Sequence, residues 1–161
     1  MKKYVFLLLA AVLALCLLAG CGNKTAYEPE MSSIVTAVDA AIGNDGSMVA
    51  VDEDYIKGSM KMDVSDYADH TVKINAMGVN IDEYGVFKGA DSGQAKEIRT
   101  AVEDYLQMRV DTWMTEYMPE EFPKLQDAEV WTEGNYVMYA ILGDDEKIAA
   151  KDAFDGCFME G

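Results

Sequence analysis

Arg109 is the side chain that the hydrophobic pattern explains least. From Gly93 to Tyr117 apolar residues recur at helical spacing, with Ile98, Val102, Tyr105, Leu106, Trp113 and Tyr117 on one stripe. Glu97, Glu103, Asp104, Gln107 and Asp111 occupy the opposite side, yet Arg109 falls inside the stripe. A guanidinium on a buried face must snorkel outward or meet a carboxylate, because an unpaired buried charge is strongly unfavourable. Glu83, in a strand-patterned segment, is the expected partner. Two roles follow for such a pair. It can orient helix on sheet as a structural ion pair, or Arg109 can face a pocket as a buried cation for an anionic ligand.

The remaining reactive side chains form no recognisable constellation. His70 is the single histidine, set between Asp69 and Thr71 at a strand start, and no Gly-x-Ser-x-Gly elbow accompanies it. Carboxylate pairs are too abundant in this chain to single out a hydrolytic pair. Asn80, Asp82, Tyr84, Gly85 and Asp91 approximate the spacing of a calcium loop, but Tyr84 takes a ligand position and the last ligand is Asp rather than Glu. One His and one cysteine beyond the N-terminal 21 residues, Cys157, cannot assemble a zinc site. Cys157 has Asp155, Gly156 and Glu160 for neighbours and no basic residue to activate it, so it reads as a small buried hydrophobe. Asp52-Glu53-Asp54 and Asp144-Asp145-Glu146 read as helix starts. No catalytic residue, metal ligand or cofactor is therefore expected.

The N-terminus carries the most specific chemistry. Lys2 and Lys3 precede an apolar run from Tyr4 to Ala19. Those residues would span about 24 Å as a helix, short of the ~30 Å hydrocarbon core, which marks a signal-peptide core. The run ends in Leu18-Ala19-Gly20-Cys21, which resembles a bacterial lipobox. The resemblance implies cleavage after Gly20, with Leu18, Ala19 and Gly20 read by the signal peptidase and Cys21 lipidated on sulfur. Residues 1–20 are then the leader, 21–30 a lipidated tether, and 31–161 a single domain. Two acyl chains suffice for stable anchoring on the extracytoplasmic face of the cell membrane. The whole chain of 161 residues carries a formal charge of −16, with 29 acidic against 13 basic residues. Such a surface repels nucleic acid and anionic headgroups, so partners are sought among envelope proteins, a second copy of the chain, or small ligands.

Positioning these residues falls to a short series of elements. Glu30 to Ile42 has helical spacing and stops at Gly43, and Asn44-Asp45-Gly46-Ser47 is a turn cluster. Val51 to Lys57 suits a short helix. Val72, Ile74 and Ala76 alternate as a strand, and Glu83 to Lys88 is its hairpin partner. Asp91 can cap the long helix, which Met118-Pro119 should end. Pro119 to Phe122 suits one further helical turn. A second hairpin joins Ala128 to Trp131 with Tyr136 to Leu142, and Asp144 and Asp145 open a final helix through Phe158. The order predicts an α+β fold: an antiparallel sheet of about four strands in two hairpins, packed with a long central helix and a C-terminal helix, behind an N-terminal signal helix. The second hairpin is apolar on both faces. It is either sandwiched between helices or exposed as an interaction face through Tyr136, Met138 and Tyr139.

Several of these pieces together resemble a family of small lipoproteins from Gram-positive bacteria, the domain of unknown function 4358. They are Glu83-Tyr84-Gly85-Val86-Phe87-Lys88, Tyr105-Leu106 with Arg109, Tyr117-Met118-Pro119-Glu120-Glu121 with Leu125, and Gly134-Asn135-Tyr136-Val137. The resemblance runs from about Thr71 to Phe158. It implies one lipidated domain without assigned activity and supplies no catalytic residue. The expected function is a membrane-anchored, non-catalytic interaction domain; the alternative is a small-molecule or cation-binding lipoprotein with a pocket near Arg109.

Overall fold

The second hairpin decides the architecture, because a strand that is apolar on both sides must be covered twice. In the computed structural model, which describes residues 27–114 and 116–159, strand β5 (Tyr136–Ile141) is buried at every position. It lies between β3 (Glu83–Lys88) and β4 (Glu129–Glu133), and β2 (Asp69–Asn75) and β1 (Met48–Ala50) continue the sheet beyond β3. The order is β1-β2-β3-β5-β4, with every pairing antiparallel. The fold is α+β, with five strands rather than about four. The added strand, β1, is three residues long, too short to display a two-residue period in sequence.

Helices cover both faces. On one side α1 (Met31–Ala41) and α5 (Asp144–Gly156) pack Ile34, Val38, Ala150 and Phe154 onto Tyr84, Val86, Tyr136, Met138 and Ala140. On the other, α3 (Ser92–Asp111) packs Ile98, Val102, Tyr105 and Leu106 onto Val72, Phe87, Val137, Tyr139 and Ile141. Tyr136, Met138 and Tyr139 therefore form no exposed interaction face. All three are at most 1% exposed, because α1 and α5 occupy the ground above the first two and α3 that above the third.

Local chemistry fixes the ends of the elements. Asp91 caps α3 as its sequence suggested, its carboxylate accepting from the amides of Gly93 (2.8 Å) and Gln94 (2.9 Å). The helix stops at Asp111, short of Met118-Pro119. Beyond it, Trp113 leaves the helical stripe to stack on Phe122, with ring centroids 5.6 Å apart, and Tyr117 is exposed. Phe122 opens the short helix α4 (Phe122–Gln126). The stretch expected as a short helix after Val51 begins as α2 (Glu53–Tyr55), capped by Asp52, and widens into a π-helical turn over Ile56–Met60. Lys61 ends that turn in a left-handed conformation at φ 61°. Such turns recur at functional sites because the extra residue in the turn redirects side chains.

The approach to α1 is tied down at the far end of β3. Pro29 is buried, and its carbonyl accepts from the Tyr136 hydroxyl at 2.6 Å. Glu28 pairs with Lys88 at 2.8 Å, and the Lys88 ammonium sits 5.0 Å from the Tyr136 ring centroid. The Phe158 ring meets the other side of Tyr136 edge-on.

Candidate functional site

Glu83 begins β3, Tyr139 stands in the middle of β5, and Tyr105 and Arg109 lie one turn apart on the inner face of α3. These placements bring four polar groups together under one end of the sheet. Glu83 Oε1 accepts from the hydroxyls of Tyr105 (2.7 Å) and Tyr139 (2.5 Å), and Oε2 accepts from Arg109 Nη1 at 2.9 Å. The same Nη1 reaches the Tyr105 oxygen at 2.7 Å, and the guanidinium carbon lies 5.7 Å from the Tyr105 ring centroid. The Glu83 side chain is 4% exposed and that of Arg109 24%, so the carboxylate is sealed while the cation keeps one side open. The ion pair that sequence reasoning expected is present. Its two tyrosine partners were not anticipated.

The electrostatics keep the two tyrosines neutral and the arginine charged. Burial, followed by the Glu83 charge, pushes the Tyr105 and Tyr139 hydroxyls well above the ordinary tyrosine range, so both remain neutral donors. Burial alone would weaken the Arg109 cation. Its tyrosine and carboxylate contacts outweigh that and raise its pKa further. Tyr55 is likewise pushed up, by burial and then by the Glu83 charge.

Above this cluster a cavity of about 270 Å³ opens to the surface. Arg109, Tyr105 and Glu83 form its base. Tyr55 and Ser59 enter from α2 and the π-helical turn, while Asn75, Asn80 and Asp82 enter from the β2–β3 connection. A third ion-pair group steadies that connection: Lys124 of α4 bonds Asp82 at 2.7 Å and Glu121 at 3.0 Å, and Glu121 accepts the Ile81 amide at 3.2 Å. Glycine at position 85 makes the base possible. A Cβ there would lie 2.5 Å from Tyr139 Cε1 and 3.0 Å from Val72 Cγ2, so the tyrosine ring reaches Glu83 only by crossing a bare backbone.

A second, partly buried polar cluster sits on the opposite face of the sheet. Asp39 of α1 is salt-bridged to Lys73 and accepts from Tyr84 Oη (2.8 Å) and Asn44 Nδ2 (2.9 Å). Burial would raise the Asp39 pKa, but the Lys73, Asn44 and Tyr84 hydrogen bonds bring it below the ordinary 3.8. The resulting stability is full above about pH 4 and fades as pH falls through the lower folded value. Asp39→Asn should therefore remove part of the acid sensitivity below that pH, as read from urea melts between pH 6 and pH 2. An unaltered acid limb would count against it.

The other sequence-derived residues have separate occupations. His70 is partly buried, 3.9 Å from Glu53. The Cys157 thiol donates to the Ala153 carbonyl at 3.2 Å. The calcium-like series disperses: Tyr84 bonds Asp39, Asp82 bonds Lys124, and Asp91 caps α3. Among the described residues no three His, Cys, Asp or Glu side chains are grouped to hold a metal ion. Leu18, Ala19, Gly20 and Cys21 lie outside the described residues.

A family model described as "Domain of unknown function (DUF4358)" matches residues 40–142. The chain belongs to this family. The DUF4358 match begins ahead of the Thr71 expected from sequence and ends before α5, so it takes in all five strands, α3 and every residue at the cavity base. It includes Tyr55 and Ser59, which sequence reasoning had placed outside the resemblance. No curated protein and no solved structure matches the chain. The DUF4358 description assigns no activity, so the chemistry of the cavity has to be read from its own groups.

Proposed function

We propose that this chain is a non-catalytic lipoprotein, anchored through Cys21 to the outer face of the cell membrane, that binds a small molecule in the cavity beside Arg109. The anchor rests on Lys2-Lys3, the apolar run and Leu18-Ala19-Gly20-Cys21. The binding role rests on one observation. The cavity reaches a cation of which, among the described residues, only one nitrogen is engaged, while the groups around it are held by packing and hydrogen bonds. A preformed pocket of this kind binds without first ordering its walls.

A second reading, association with an envelope protein or with another copy, no longer rests on the β4–β5 hairpin. It draws instead on four exposed side chains, Met77, Val79, Met114 and Tyr117, in two segments that the Glu121–Ile81 contact joins.

Two measurements test the proposal. Growth with a fatty-acid probe should label the wild-type protein, and Cys21→Ser should abolish the label and release the protein from the membrane fraction. In a thermal-shift screen of small metabolites, hits on the wild-type domain should disappear in Ser59→Trp, which fills the cavity. A screen without hits would remove the binding role, and an unlabelled wild-type protein would remove the anchor.

A further inference from the structure

We infer that the Arg109 cavity takes the carboxylate of a small organic acid or of a short peptide C-terminus. This rests on the proposed binding role and names its ligand class. Acceptors in the cavity are largely spent. Both Glu83 oxygens are engaged by three donors, and Asp82 Oδ1 is held by Lys124. Asn75 Oδ1 accepts the Met77 amide at 2.9 Å, and Asn80 Oδ1 accepts the Asp82 amide at 3.1 Å. Both asparagines are thereby fixed with their oxygens turned into the loop.

Donors remain. The Asn75 and Asn80 amide NH₂ groups make no hydrogen bond within the described residues, nor do Arg109 Nε and Nη2. Tyr55 and Ser59 line the same cavity, and each hydroxyl has one proton to donate. With Asp82 Oδ2 the one carboxylate oxygen there that makes no hydrogen bond within the described residues, the cavity's spare donors outnumber its spare carboxylate acceptors and favour an acceptor-rich ligand.

The geometry of the arginine narrows the class further. Nη1 is committed to Glu83 and Tyr105, whereas the Nε–Nη2 edge is a planar two-donor fork, which matches the two oxygens of a carboxylate. Arg109 is balanced by Glu83, whereas Lys124 is shared by Asp82 and Glu121, so one carboxylate is in excess beside the cavity and the attraction for an acid has to come from the arginine fork and the amide donors. A volume of about 270 Å³ lies at the lower end of small-molecule sites, which limits the ligand to roughly amino-acid or dipeptide size.

Isothermal titration of the full chain with succinate and with acetyl-alanyl-alanine should show binding. Succinamide and the peptide amide should bind at least about tenfold more weakly, the loss expected when a charge-assisted hydrogen bond is removed. The two acids distinguish a free metabolite from a peptide end. Asn80→Asp keeps the oxygen that holds the Asp82 amide, and hence the loop, while replacing a donor with a negative charge. It should weaken the acids by about tenfold or more and leave the amides unchanged. Amides or putrescine binding as well as the acids, with sensitivity to Ser59→Trp, would overturn the carboxylate class and leave the binding role standing. Acid binding untouched by Asn80→Asp would also overturn it. Silence from every probe, together with an empty metabolite screen, would overturn both.

Discussion

Glu83→Ala should lower the unfolding free energy by about 3–5 kcal/mol, the cost of stripping one partner from a buried ion pair. The loss is large because three donors converge on this one carboxylate, and each is left facing the space it vacated. Arg109→Met should cost less, since Glu83 keeps both tyrosine hydroxyls and the methionine can pack along the Tyr105 ring. The double variant should be more stable than Glu83→Ala alone, because an apolar pair leaves no orphaned charge. Urea denaturation of the four proteins closes the cycle. Additive losses would mean that Glu83 and Arg109 act independently, and an Arg109→Met protein as stable as wild type would remove the pair from the forces that hold α3 on the sheet.

Gly85→Val should be the next most damaging change. The new Cβ starts 2.5 Å from Tyr139 Cε1, and the two methyls have Val72 on one side and the ring on the other. Overpacking costs about 1–3 kcal/mol. Displacing the ring also breaks the hydroxyl contact with Glu83, a charge-assisted bond worth about 1.5–3 kcal/mol more. Gly85→Ala should follow in the same direction with a smaller loss. Thermal melts would show both, and combining Gly85→Val with Tyr139→Ala should recover part of the loss by making room. Absence of any recovery would mean that the strand itself, rather than the ring, resists the substitution.

What the sequence disclosed about this site was its charge. Arg109 stood out because it interrupted an apolar stripe, and Glu83 because it lay in a strand-patterned segment. Tyr105 and Tyr139 were hidden by the same pattern, since a tyrosine at a core position counts as a hydrophobe and its hydroxyl leaves no trace in periodicity. Gly85 carries no signal of its own in the Glu83–Lys88 segment, and only the cross-strand register that places it opposite Tyr139 gives it a role. The cavity was less legible still. Its walls come from a π-helical turn and from the β2–β3 connection, neither of which has a repeating pattern. The two hairpins, α1, α3 and α5 were visible because each carries a regular apolar face. The early end of α3 was not, because Trp113 and Tyr117 continue the helical spacing although one stacks on Phe122 and the other is exposed. Both burial and exposure were open for the second hairpin. Only the position of three helices around it distinguishes them.

The fastening of Glu28 and Pro29 to Lys88 and Tyr136 also sets how the molecule would stand. With a lipid on Cys21, as proposed, the seven residues from Cys21 to Tyr27 separate it from that fastening, a leash with a reach of at most ~25 Å. The leash leaves from the Lys88 end of β3, whereas Glu83 and the opening above it lie at the other end, about 17 Å further along the strand. The domain would thus be held base-down, with the β4–β5 turn nearest the headgroups and the Arg109 opening uppermost. A solute arriving from outside the cell would meet that opening without first crossing the lipid surface.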